Sequence, residues 1–219
     1  MTAASIATGV AAGHGPVSDV AVRRLGRTLY EPAWRAMQEF TARRGAGGAD
    51  ELWLTEHPPV YTLGVAGRSE HLPRAANGIP VIKTDRGGQI TYHGPGQIVV
   101  YLLLDLRRNG LTVRSLVRTM EMAVIDLLAA YGIAGEGRAD APGVYVDGAK
   151  IAALGLRIRN GCSYHGLALN ADMDLSPFHA IDPCGYSGLA VTQARDLGVV
   201  DGVQAVGEKL VGHLLDRLP

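Results

Sequence analysis

Cysteine is nearly absent: Cys162 and Cys184 are the two thiols in 219 residues, too few for the dense disulfide framework of small secreted domains. A reducing, cytoplasmic setting is the expectation. Net charge is absent too, with 21 basic side chains against 21 acidic ones. Binding to nucleic-acid backbones or anionic lipid grows with the number of Lys and Arg contacts, so neither partner is expected. No apolar run approaches the roughly 18 residues that a membrane helix needs, and the start, MTAASIATGVAAGHGPVSDV, has no basic stretch ahead of an apolar one. A GxxxxGK[ST] phosphate loop is missing. Lysine is scarce as well: Lys83, Lys150 and Lys209 stand among 21 basic residues, so each lysine invites a reason.

What the chain has in quantity is apolar residues, at 47%, and glycine, at 29 residues, the latter nearly twice the usual share of about 7%. By area scaling a chain of this mass buries about 70% of its unfolded surface, enough for one sizeable core. Residues 1–18 are rich in Ala, Gly, Ser and Thr and are expected to be a disordered tail, with residues 19–219 forming one domain.

Apolar periodicity predicts a helix over residues 31–44, where Ala33, Trp34, Met37 and Phe40 recur at helical spacing. A second covers residues 112–131, with Thr112 as its cap and Gly132 as its stop, and a third covers residues 203–218. Extended runs fall at 51–64, interrupted by Pro58-Pro59, at 81–83, and at 97–107, where the nearly continuous apolar stretch predicts a central strand. Asp147-Gly148 and Asn160-Gly161 each separate two strand-like segments, which predicts two type I′ hairpins and a three-stranded meander. Helices separated by hairpins, without strict βαβ alternation, give an α+β (mixed α/β) single domain.

Three places carry candidate chemistry. The segment Asp85-Arg-Gly-Gly-Gln-Ile-Thr-Tyr-His-Gly-Pro-Gly-Gln97 fits a ligand-binding loop, in which glycines admit close backbone approach and Thr91, Tyr92 and His93 stand where turn residues normally would; a plain glycine-rich hairpin is the alternative. Lys150, flanked by small and apolar residues, fits a desolvated proton carrier or an edge-strand guard against aggregation. Cys184, in Asp182-Pro-Cys-Gly-Tyr186, fits an exposed nucleophile, whereas Cys162 at the start of a strand fits a buried packing residue. His93, His165 and His179 are candidate bases, each also compatible with a structural role. A zinc site from Cys162, His165, His179 and Cys184 is disfavoured, because residues three apart on a strand face opposite sides. No metal is expected.

These stretches together identify a family. His57-Pro-Pro-Val-Tyr-Thr-Leu-Gly64, Arg86-Gly-Gly-Gln-Ile-Thr-Tyr-His-Gly-Pro-Gly-Gln97, Gly143-Val-Tyr-Val-Asp-Gly-Ala-Lys-Ile-Ala-Ala-Leu-Gly-Leu-Arg157, His165-Gly-Leu-Ala-Leu-Asn170 and Pro183-Cys-Gly185 resemble, in order, the octanoyl-carrier-protein:protein N-octanoyltransferases of lipoate biosynthesis. The resemblance runs from about residue 20 to about residue 200, and Ile90 and Tyr164 are conservative choices within it.

It implies the fold of the biotin and lipoate protein ligases, with a thiol–lysine pair in place of ATP chemistry. Cys184 then corresponds to the acyl-thioester nucleophile and Lys150 to the lysine that tunes it. Substrate-binding positions are implied at Arg86, Gly87, Gly88, Gln89, Ile90, Thr91, Tyr92 and His93, at Ala153, Leu154 and Gly155, and at Gly166, Leu167 and Ala168. His57 and His165 are candidate supporting groups. No cofactor is implied, since the acyl donor rides on the phosphopantetheine arm of acyl carrier protein. The acceptors are lipoyl domains of 2-oxoacid dehydrogenase E2 subunits and the glycine cleavage H protein, and the enzyme would act as a monomer. Burying an octanoyl tail contributes up to about 5 kcal/mol, so an apolar slot is required; Ala152, Ala153, Leu154, Leu167 and Ala168 are candidates to line it. Backbone N–H groups near Gly155 and Cys184 would hold the oxyanion, and Arg157 and Arg159 would dock an acidic carrier protein. An ATP-dependent ligase, a non-catalytic binding module and a thiol hydrolase are the competing functions.

Overall fold

The computed structural model describes residues 20–45, 47–74, 77–138, 141–181 and 189–219. The expected N-terminal tail and Cys184 lie outside these residues. In chain order the strands are β1 (Ala21–Arg27), β2 (Glu51–Glu56), β3 (Val60–Leu63), β4 (Val81–Lys83), β5 (Ile90–His93), β6 (Gln97–Leu103), β7 (Glu136–Gly137), β8 (Gly143–Val146), β9 (Ala149–Arg159) and β10 (Cys162–Asn170). The helices are α1 (Tyr30–Arg43), α2 (Val113–Ala130) and α3 (Val203–Arg217). Among the described residues no helix is long and apolar enough to cross a membrane.

Alternation along β6 organises the core. Every residue of this strand is buried, because it lies inside a seven-stranded mixed sheet of order β1-β2-β6-β10-β9-β8-β7. Ile98, Val100 and Leu102 turn to one face, where α2 and α3 supply Leu116, Met120, Leu127, Leu210 and Leu214. Val99, Tyr101 and Leu103 turn to the other, against Ala33 and Met37 of α1. The period-two pattern of a strand thus joins two helical layers into one domain. A second sheet of order β4-β3-β5 packs Tyr61, Ile90 and Tyr92 with Met173 and Phe178.

Local chemistry sets the element ends. Thr112 Oγ1 accepts from the Ser115 N–H (3.0 Å) and Ser115 Oγ accepts from the Thr112 N–H (2.9 Å), which caps α2. Gly132, at φ +75°, closes it. Asp147 and Asn160 adopt φ of +49° and +54°, each followed by a glycine at +80°, as type I′ hairpins require.

Two elements depart from expectation. β1 carries mostly exposed residues and runs parallel to β2 at the sheet edge; its arginines suit an edge that must resist pairing with another chain. Ile90–His93 is a strand rather than loop, paired antiparallel to β3.

Candidate active site

β9 lies between β8 and β10, so Lys150 does not guard an edge. Its side chain is buried, 3% exposed. A register irregularity explains how a lysine comes to line a slot. Val144 pairs with Ala152 but Tyr145 pairs with Lys150, leaving Ile151 as the extra residue of a β-bulge. The bulge flips the alternation, so that Lys150 lines the same cavity as Ala153 and Gly155. Its ammonium nitrogen sits 5.2 Å from the Tyr145 ring centroid and 3.5 Å from the Pro142 carbonyl oxygen. Gly143 leaves room for it, since a Cβ there would come within 3.0 Å of Lys150 Cε.

One wall of the cavity is sheet: Val99 and Tyr101 of β6, Ala153, Leu154 and Gly155 of β9, and His165, Gly166, Leu167, Ala168 and Asn170 of β10. The facing wall is Arg86, Gly88, Gln89, Ile90, Thr91 and His93, with Tyr30, Gln97, Phe178 and Val191 completing it. Small residues are needed where strands crowd: a Cβ on Gly166 would fall on the Val100 carbonyl oxygen. Gly155 lies five residues along β9 from Lys150, about 16 Å at the usual strand rise, which puts it at the opposite end of the slot.

Other expected residues fall elsewhere. Ala152 packs in the core beneath α2, and Tyr92 packs with Tyr61 and Phe178. Gly87 is not a lining residue, although its N–H bonds the Leu156 carbonyl (2.9 Å) and ties the facing wall to β9. His57 stands behind the wall, its Nε2 accepting from Tyr101 Oη (2.6 Å) and its Nδ1 donating to the Thr28 carbonyl (2.8 Å). Arg157 and Arg159 are exposed. Among the described residues no group of three or more His, Cys, Asp or Glu side chains is arranged to hold a metal.

Buried polar groups at the Gly155 end are thoroughly paired. Arg86 donates to Thr62 Oγ1 (3.1 and 2.9 Å), to the Gly87 carbonyl (2.8 Å) and to the Gln89 carbonyl (3.1 Å), so it braces the facing wall. Asp85 accepts from Trp34 Nε1 (2.8 Å), Gln38 Nε2 (3.1 Å), Tyr164 Oη and His165 Nε2 (2.9 Å). Burial opposes its charge, but the bonds from His165, Tyr164, Gln38 and Trp34 outweigh burial and hold the carboxyl well below the usual range.

Burial pushes His93 down to about 3, helped by the adjacent His57 and Arg86 and opposed by its bond to Gln97. Burial also lowers His57 and His165, against the opposing effects of the Thr28 carbonyl and Asp85. Since the folded chain binds fewer protons than the unfolded one below pH 6.5, it loses stability as pH falls through that point. From His93 alone, the unfolding free energy in urea should drop by about 2 kcal/mol between pH 6.5 and 5. Asp85, with a depressed folded value, adds its loss only below about pH 4. The slope above pH 5 should shrink by about one proton in His93→Gln; equal wild-type stability at both pH values would contradict the neutral-histidine assignment.

Residues 30–214 match the lipoyl protein ligase A/B catalytic domain. An octanoyltransferase of Azoarcus sp. (strain BH72) is 65% identical over 100% of this chain and 97% of its own length. One of Thiobacillus denitrificans is 68% identical over 91% of each. The chain belongs to the octanoyltransferases of the lipoyl protein ligase A/B family. A solved lipoate-protein ligase A, bound with ATP, superposes on 90% of this chain and 85% of its own with a TM-score of 0.76; at 17% identity it shows the family's fold alone. In this octanoyltransferase, Tyr30, Gln97, Val99, Tyr101, Asn170, Phe178 and Val191 are lining residues that the sequence did not single out. Gln97 and Asn170 stood inside matching motifs, whereas Tyr30 and Val191 carry no local signal.

Proposed function

We propose that the chain moves an octanoyl group from octanoyl-loaded acyl carrier protein to a lysine of lipoyl domains, the first step of endogenous lipoate assembly, through a thioester on Cys184. The observation that carries this reading is the bulge-placed Lys150 lining an apolar slot in a chain 65% identical to an octanoyltransferase over its whole length. In the first half-reaction the Cys184 thiolate attacks the donor thioester carbonyl, the new C–S bond forms, and the phosphopantetheine thiol leaves with a proton. In the second, the lysine amine of the lipoyl domain attacks, an amide forms, and the Cys184 thiol is restored. Lys150 carries the proton in each half.

Thioester exchange is nearly isoenergetic and amide formation runs downhill, so neither ATP nor a cofactor is required. Arg157 and Arg159, at the far end of β9, would meet the acidic carrier protein. The reducing cytoplasm suits a free thiol nucleophile. The test is amide formation on a purified lipoyl domain from octanoyl-loaded carrier protein with ATP omitted. Transfer in that mixture is expected. Transfer only with ATP, magnesium and free octanoate would make the protein a ligase; release of free octanoate would make it a hydrolase; binding without either would make it a module.

A further inference from the structure

A chain of hydrogen bonds runs from the facing wall to the backbone around Lys150, and its direction is fixed at both ends. Arg86 can only donate, and it gives two N–H groups to Thr62 Oγ1. The Thr62 hydroxyl proton is thereby left for His93 Nε2 (3.3 Å). Gln97 Nε2 donates to the Tyr92 carbonyl (3.2 Å) and to Asn170 Oδ1 (2.9 Å), so the oxygen of its amide faces His93 Nδ1 (2.7 Å), which is the donor. Asn170 Nδ2 then donates to the Thr192 carbonyl (3.0 Å), a group that can only accept.

Residues 190–194 are held on both sides by this arrangement. On one, the Lys150 N–H donates to the Ala190 carbonyl (2.8 Å) and the Thr192 N–H to the Lys150 carbonyl (3.0 Å), with Val191 bridged parallel to Lys150. On the other, the Ala194 N–H donates to the Asn170 carbonyl (3.0 Å), beside the Asn170 side-chain bond. Asn170 is 5% exposed, so bulk water does not readily replace a lost donor there.

We infer that Asn170 is a positioning residue: its side-chain amide clamps residues 190–194 against Lys150 and so sets where the lysine stands in the slot. The inference rests on the octanoyl-transfer reading for its kinetic consequence, and on hydrogen exchange for its structural one. Asn170→Asp keeps the shape and the acceptor but removes the donor, leaving two buried acceptors face to face. We expect kcat for octanoyl transfer to fall about 100-fold, as misplacement of a reacting group does, with KM for the lipoyl domain unchanged. The Thr192 and Lys150 amides should exchange faster than the rest of β9. Gln97→Glu, which removes the donor that orients Asn170, should give the same pattern and serves if Asn170→Asp does not fold.

Val206→Ala, in the core of α3 and away from the slot, controls for lost stability and should move neither readout. Unchanged exchange at Thr192 and Lys150 overturns the inference whatever the kinetics show. Faster exchange with undiminished kcat overturns the positioning role. A wild-type protein with no octanoyl transfer overturns the functional reading instead, and the exchange data still decide whether Asn170 is the clamp.

Discussion

Cys184→Ser should lose octanoyl transfer by at least about 10³-fold while its urea unfolding curve stays unchanged; removal of the nucleophile in other covalent enzymes costs up to about 10⁶. A hydroxyl is a far weaker nucleophile than a thiol at neutral pH, and serine would need a base that the thiol does not. The other thiol cannot substitute. Cys162 is 6% exposed, opens β10 opposite Arg159, and is not a lining residue of the slot; burial pushes it up, away from the thiolate. Cys162→Ser should therefore transfer octanoyl at the wild-type rate. Equal activity in Cys184→Ser and wild type would place the chemistry elsewhere.

Lys150→Arg should cost about 100-fold or more, because general acid–base groups contribute about 10²–10⁴ and a guanidinium does not release its proton. The substitution separates two roles. If a positive charge only lowered a thiol by about 2 units, the thiolate fraction at pH 7 would rise about 25-fold, and weaker nucleophilicity would return about tenfold of it. Charge alone is then worth little, and a large loss in Lys150→Arg would assign the rest to proton movement. Rates should be compared across pH for wild type, Lys150→Arg and Lys150→Ala. A near-normal Lys150→Arg profile would show that a fixed charge suffices.

Much of this was legible in the chain. Asp147-Gly148 and Asn160-Gly161 state the turns that their φ angles then adopt, and the unbroken apolar run in β6 states its central place. Less legible was anything that depends on distant partners. β1 has the exposed pattern of a loop, and it is a strand only because β2 lies beside it. Ile90–His93 is hidden among glycines and becomes a strand through β3. The parity of Lys150 needed the bulge at Ile151, which strict alternation from Ala153 does not give. Tyr30 reaches the slot from the start of a helix whose spacing speaks only of packing. Ala152 illustrates the converse, a small residue beside slot residues that faces the core.

Storage of the acyl group on Cys184 is read directly from intact-protein mass after mixing the purified chain with octanoyl-loaded carrier protein without ATP, followed by peptide mapping. The mass should rise by one octanoyl group, mapped to Cys184, and the gain should disappear when a lipoyl domain is added. No adduct on Cys184, or one that the lipoyl domain does not discharge, would contradict the thioester on Cys184.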